Sequence, residues 1–129
     1  MADVNRGNRP LSPHLQVYRL PAAAITSILT RVTGHALVAG ILLLVWWLVA
    51  AVSGPEAFAT ADGVLRSWFG FLVMAASVWA LWFHTLAGIR HLFYDAGIGL
   101  EIEQARLSSW WIVIGSVALT VVTLLVFFI

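Results

Sequence analysis

Charged residues divide the chain into three long stretches that contain no charge at all. These stretches cover residues 32–55, 67–89 and 107–129. A helix needs about 20 apolar residues to cross the hydrocarbon core of a bilayer, and each stretch exceeds that length. Because backbone groups in lipid must satisfy their own hydrogen bonds, each stretch is predicted to be a helix. The pattern therefore predicts an all-α membrane protein with three transmembrane helices.

Turn-forming residues predict where these helices end. The sequence SGPE at residues 53–56 is typical of a helix stop, and a first loop is predicted from there to about Gly63 or Arg66. Gly97 and Gly99 are predicted to end the second helix, with residues 101–109 as the second loop. We expect one membrane-anchor domain over residues 1–129, with spans at about residues 25–52, 65–94 and 107–129.

Composition supports this class and excludes others. The chain is 61% hydrophobic and only 10% charged, with a mean hydropathy of +0.94, whereas soluble domains carry about 25% charged residues. The net charge of +1 gives no basic field for a nucleic acid. The chain has no cysteine, which excludes iron–sulfur ligation, zinc–thiolate sites and a thiol nucleophile within it. Few polar residues fall within the spans, which disfavours a transporter or channel.

The arginines predict the orientation of the chain. Six of the seven lie before the first span, at its start, or beside the second loop, and one lies on the first loop. By the positive-inside rule, the N-terminus and the second loop are cytoplasmic and the C-terminus is periplasmic. The six are Arg6, Arg9, Arg19, Arg31, Arg90 and Arg106, and the seventh is Arg66.

Histidine is costly at membrane depth and usually serves a function there. His84 lies six residues before Arg90, about 9 Å along the second helix, among apolar neighbours. It is either hydrogen-bonded to a neighbouring helix or an axial ligand of haem iron. Gly88 lies one turn further on the same face, where it leaves room for a flat macrocycle, and His91 lies two turns on. His91, together with Arg90, is placed to meet haem propionates.

A second polar pair lies at the start of the first span. Ser27 and Arg31 are four residues apart and therefore share one face of the helix. Their hydroxyl and guanidinium groups suit a small ligand that carries a carbonyl group. In the alternative, the arginine reaches to lipid phosphate and the serine fills a helix contact. Asp95 ends the second span on the same side, either as a surface cap or as a partner of an arginine. No pattern of catalytic residues is present.

Three motifs occur in register with these features. They are RPLSPHLQVY at residues 9–18, SILTRVTG at residues 27–34 and HTLAGIRHLFYD at residues 84–95. In this order the chain resembles the cytochrome b anchor subunits of succinate dehydrogenase, from about Arg9 to Gly97. Two positions depart from that family. Thr30 stands where the family usually carries a histidine that contacts a haem propionate, and His35 stands where the family tends to carry an aliphatic residue.

The resemblance implies roles for the polar residues singled out above. It assigns His84 as an axial ligand of haem b, and Ser27 and Arg31 as residues of the ubiquinone site. We also expect Arg31 and His91 near the haem propionates, and Asp95 as a support of the quinone site. The second haem ligand is left open. It is either a histidine of a second anchor chain, which the resemblance favours, or His35 of this chain.

The resemblance also implies a whole assembly in the bacterial cytoplasmic (inner) membrane. A flavoprotein subunit oxidises succinate, an iron–sulfur subunit passes electrons on, and two small anchor chains share one haem b and bind ubiquinone. This chain alone would carry no dehydrogenase chemistry. Two alternatives stay open: an anchor without a cofactor, which would show no Soret band, and the anchor of a quinol:fumarate reductase, which runs the reaction in reverse.

Overall fold

Four helices make up the computed structural model, which describes residue 7, residues 10–14 and residues 16–128, with only the backbone given for the last. The helices are α1 (Ala22–Ser53), α2 (Pro55–Arg66), α3 (Trp68–Asp95) and α4 (Ile102–Phe128). Three of them, α1, α3 and α4, are long and apolar enough to cross a membrane. The prediction of an all-helical chain with three candidate spans is confirmed over the described residues.

Some sequence-based expectations fall outside these residues or are not tested by the fold. Arg6 and Arg9, which contribute to the predicted orientation, lie outside the described residues, as do Leu15 of the first motif and Ile129 of the third predicted span. The orientation itself stays a prediction, as does the assignment of the whole chain to one anchor domain.

The first predicted loop is instead a helix, so that prediction was wrong. α1 does stop at Ser53, because Gly54 adopts a φ of 131° that residues with a side chain rarely take. Pro55 then starts α2 at once, since proline's fixed φ suits the first helical position. Glu56 in the first turn and Arg66 in the last complement the helix dipole.

The second loop is shorter than predicted, because the next helix begins earlier. α3 ends at Asp95, and the chain turns as expected at Gly97, where φ is 75° and the amides of Gly97 and Ile98 bond back to the carbonyls of Tyr94 and Phe93. The chain re-enters a helix already at Ile102, although the sequence predicts a loop over residues 101–109. Strong helix formers and an ion pair between Glu103 and Arg106, one turn apart, explain the early start.

α3 packs against both α1 and α4, and the core lies between these three helices. Phe83, Ala87 and Ile112 are its buried apolar members, with Leu29 and Trp79 packed against them. Hydroxyl-bearing side chains are buried beside them, and most bond to a carbonyl of their own helix. This composition is typical of helices packed in a membrane, where small and hydroxyl residues permit close approach. The hydroxyl-bearing residues are Thr26, Thr33, Ser109, Ser116 and Thr120.

Glycine is required at the junction between α2 and α3. Ser67 links the two helices, and its side chain accepts a hydrogen bond from the amide of Gly70 at 3.1 Å. Gly70 is buried, and a Cβ atom built there would collide with the backbone carbonyl oxygens of Val64 and Leu65. Backbone atoms cannot move aside as the end of a flexible side chain can, so this collision would displace one helix.

We predict that Gly70→Ala destabilises the protein by about 2 kcal/mol or more, because the added methyl group overpacks this junction. Gly63→Ala in α2 is the matched control, since a Cβ atom there meets no atom within 4 Å. The control should leave stability unchanged or slightly higher, because alanine favours helix over glycine. Thermal unfolding followed by circular dichroism measures both. Equal midpoints for the two variants would contradict the described junction.

Candidate functional site

The imidazole of His84 projects from the middle of α3 onto α1. Its Nδ1 atom lies 3.0 Å from the backbone carbonyl oxygen of Thr30 and 3.4 Å from the hydroxyl oxygen of Thr33. The His84 ring is half-buried at this contact. His84 of α3 is therefore held by one turn of α1, from Thr30 to Thr33.

The partners of His84 determine which ring nitrogen carries the proton. A carbonyl oxygen only accepts hydrogen bonds, so Nδ1 must donate to Thr30. The hydroxyl of Thr33 donates its own hydrogen to the carbonyl of Leu29 at 2.8 Å, so it can only accept from His84. In the neutral ring Nε2 then carries the lone pair. Within the described part of the chain, Nε2 makes no hydrogen bond, which leaves it available as a ligand atom.

Close approach of the two helices at His84 depends on Gly34. A Cβ atom built at Gly34 would lie 3.1 Å from Cε1 and 3.6 Å from Nδ1 of the His84 ring. Any larger residue would press the ring away from α1. The sequence assigned a similar role to Gly88, but a Cβ atom there meets nothing within 4 Å. Space for a macrocycle at Gly88 therefore stays a prediction, whereas Gly34 makes the observed contact.

His84 opens onto a groove between α1 and α3, here called the histidine groove. It has a volume of about 320 Å³ and is lined by Thr30, Arg31, Gly34, His35, Val38 and His84. The structure thus brings the two membrane histidines to one site. The Nδ1 atom of His35 lies 2.8 Å from the carbonyl oxygen of Arg31, so that ring too has its Nδ1–H directed at backbone.

This donor set fits haem better than a bare metal ion. Among the described residues, no group of three or more histidine, cysteine or acidic side chains could hold a metal ion. Haem brings four nitrogen ligands of its own and needs only one or two from protein. A metal-ligating histidine usually binds the metal through one ring nitrogen and donates a hydrogen bond from the other, often to a backbone carbonyl. His84 meets that requirement.

The predicted quinone pair is only partly assembled by the fold of this chain. Ser27 is half-buried and Arg31 is exposed, one turn apart on α1. In the described part of the chain, neither side chain makes a hydrogen bond, so both are free to bind a ligand. Arg31 lines the histidine groove, whereas Ser27 is not among the residues that line it. Arg31 is therefore positioned beside both predicted sites.

The other predicted site residues lie towards the end of α3. His91 and Asp95 are exposed, and His91 meets the ring of Tyr94 edge-on at 6.1 Å. Neither residue lines the histidine groove. The ion pairs found among the described residues do not include Asp95, so a partnership with Arg31 or Arg90 is not observed.

Arg90 is placed differently from the prediction. It was grouped with His91 as a propionate contact, but it is 7% exposed and faces the helix core. Its Nη1 atom donates to Ser109 at 2.9 Å and to Thr26 at 3.2 Å, which joins all three long helices. The hydroxyl residues within the α1 and α4 segments were the sequence feature that could have indicated a buried Arg90. Hydroxyl groups within apolar spans are typical helix contacts and supply the acceptors that a buried arginine needs.

The fold and the site together define a class: multi-pass membrane subunits that present an imidazole to an apolar groove. Comparison with known proteins then narrows this class. A family model described as the succinate dehydrogenase/fumarate reductase transmembrane subunit matches residues 5–123. The chain belongs to this family, and with its three apolar spans it is a multi-pass protein of the bacterial inner membrane.

Individual relatives agree with the family match. A succinate dehydrogenase cytochrome b556 subunit of Paracoccus denitrificans is 73% identical over 129 residues, which cover 100% of this chain and 99% of the relative. The subunit of the same name in Rickettsia conorii is 37% identical over 113 residues, or 88% of each chain. A cytochrome b560 subunit of Reclinomonas americana is 38% identical over 108 residues, covering 80% of this chain and 75% of the relative.

Proposed function

We propose that this chain is a haem b- and ubiquinone-binding membrane anchor of succinate dehydrogenase. In this role it helps carry electrons from succinate oxidation to ubiquinone. The orientation of His84 is the observation that carries the proposal, since Nδ1 donates to α1 and Nε2 is left free beside an apolar groove. The cytochrome b name of a relative that is 73% identical supports it. The dehydrogenase chemistry itself belongs to the soluble subunits.

In this proposal His84 would hold haem iron through Nε2. Bound haem b supplies a one-electron carrier within the membrane. The residues of this chain orient it: the hydrogen bond to Thr30 stops the His84 ring from rotating and increases the electron density on Nε2. The hydroxyl of Thr33 adds a second acceptor on the same Nδ1–H.

The second axial ligand is proposed to come from the second anchor chain. α1 and α3 lie close together here, because a Cβ atom at Gly34 would come within 3.1 Å of the His84 ring. This argues against a macrocycle between the two helices. A haem held by His84 would then be shared with another chain across the histidine groove. His35 lines the same groove and is the competing ligand.

Ubiquinone is proposed to bind beside Ser27 and Arg31. A hydroxyl and a guanidinium can both donate hydrogen bonds to a quinone carbonyl oxygen. The fixed charge of Arg31 stabilises negative charge that develops on that oxygen during reduction. Arg31 also lines the histidine groove, so one side chain serves the quinone and a haem propionate. Exposed His91 and Asp95 are assigned supporting roles near these two groups.

The partners follow from the same proposal. A flavoprotein, an iron–sulfur subunit and a second small anchor chain complete the assembly, with the soluble subunits on the cytoplasmic side, where the positive-inside rule predicts the N-terminus. The anchor of a quinol:fumarate reductase is the alternative, because the family description covers both enzymes. The potentials of haem and quinone decide the direction, and these are measurable in the purified complex.

We predict that His84→Leu removes the low-spin haem signal from the assembled complex, because it removes a strong axial ligand. His35→Leu should keep that signal, since the second ligand is assigned to the other anchor chain. Reduced absorption spectra of both complexes make the comparison, with subunit content checked on the same samples. Loss of the signal in an assembled His35 variant would instead make His35 the second ligand, and absence of a Soret band in the wild type would mean a bare anchor.

We predict that Thr33→Val keeps the low-spin haem but raises its midpoint potential. The Nδ1–H of His84 loses one acceptor, so its imidazole donates less electron density to ferric iron. Thr33→Ser should retain the wild-type potential. Thr120→Val is the matched control, a buried threonine on α4 that also bonds to the carbonyl four residues before it. A potentiometric titration that finds Thr33→Val equal to the control would refute the role of this acceptor.

We predict that Ser27→Ala and Arg31→Ala each slow ubiquinone reduction about tenfold or more, as expected for loss of a hydrogen bond to a charged or reacting group. Succinate oxidation with a soluble artificial acceptor should continue, because the flavoprotein is untouched. Arg106→Ala, an exposed arginine paired with Glu103, serves as the control. Equal losses with both acceptors would show failed assembly and return Arg31 to a purely lipid-facing role.

A further inference from the structure

A second groove lies between α3 and α4, away from the histidine groove. It has a volume of about 430 Å³, and most of its wall is apolar. Leu86, Ile89 and Ile112 form part of the apolar wall, and Gln104 and Ser108 contribute polar groups. The proposed haem and quinone sites use neither these five residues nor this face of α3.

Arg90 forms part of the wall of this groove and carries an uncompensated charge. It is 93% buried by residue surface, since 7% is exposed. Nη1 donates to the neutral hydroxyls of Thr26 and Ser109, but Nε is buried without a partner and Nη2 makes no hydrogen bond within the described part of the chain. The ring of Tyr94 lies 5.5 Å from the guanidinium carbon. No carboxylate among the described residues pairs with it.

An unpaired arginine at this position is costly, so an anion is expected nearby. Arg90 lies five residues before Asp95, the last residue of α3, which is about 7.5 Å along the helix axis. For a helix that spans a membrane, this depth is close to the boundary between hydrocarbon and headgroups. The anion present at that boundary in every bilayer is the phosphate of a phospholipid.

We propose that the α3–α4 groove binds one anionic phospholipid, with its phosphate at Arg90 and an acyl chain along the apolar wall. The polar groups of Tyr94, Gln104 and Ser108 contact the headgroup or glycerol. A net negative headgroup is required because a zwitterionic lipid brings its own cation to the guanidinium. The proposal depends on membrane insertion alone and not on the assignment of haem or quinone.

The test uses the complete complex, purified in detergent and stripped of loosely bound lipid. Phosphatidylglycerol or phosphatidylcholine with the same acyl chains is added, and the thermal unfolding midpoint is measured. Native mass spectrometry of the same samples counts the lipid that stays bound. We expect phosphatidylglycerol to raise the midpoint of the wild type more than phosphatidylcholine does, with one lipid retained per chain.

Two variants test whether the selective stabilisation by phosphatidylglycerol arises at the α3–α4 groove. Arg90→Gln removes the charge, and Ile89→Trp fills the groove while leaving the Arg90 guanidinium in place, so it still reports if Arg90→Gln fails to assemble. Both should lose the selective gain with phosphatidylglycerol, while Arg106→Gln, an exposed arginine on α4, should keep it. Equal gains from the two lipids in the wild type, an unchanged gain in Ile89→Trp, or the same gain from inorganic phosphate would each overturn the proposal.

Discussion

Helices α1 and α3 meet where the imidazole of His84 lies against Gly34, and the ring is held there by the carbonyl of Thr30. This contact couples the packing of the bundle to the chemistry of the site. A larger residue at position 34 would separate the helices, and without the carbonyl the ring could present either nitrogen to the groove. The same contact brings the two helices close together, so the haem that we propose would lie outside this chain's own core and face a partner chain.

Arg90 holds α3 further along the helix, six residues after His84. Its guanidinium ties α1 and α4 to α3 through two hydroxyl groups, so a charge that would be costly in lipid becomes the junction of the three spans. The hydrogen bond from Trp82 to Thr123 at 2.9 Å adds a deeper link between α3 and α4. α3 is therefore held in register at Trp82 and Arg90, on either side of His84 along the helix. Apolar packing alone would not set that register, because lipid tails compete for the same surfaces.

Sequence patterns predicted the spans well and the polar contacts poorly, for a physical reason. Uncharged stretches indicate which segments can enter lipid, and they correctly predicted α1, α3 and α4 as candidate spans. They do not report helices that are polar on one side, so the region of α2 was predicted as a loop. Nor do they report direction around a helix axis: Arg90 was grouped with His91 as a contact to haem propionates, whereas its side chain faces inward. The pairing of His84 with a backbone carbonyl leaves no trace in the sequence, because every residue has one.

The fold fixes the His84 tautomer, with the proton on Nδ1 and the lone pair on Nε2. Nitrogen-15 NMR of the histidine-labelled complex in lipid bilayers tests it directly, with His84 assigned through its contact to Gly34. We expect a protonated Nδ1 that exchanges slowly with water and an Nε2 without a proton. A proton on Nε2, with Nδ1 unprotonated, would show that the contact with Thr30 does not set the tautomer.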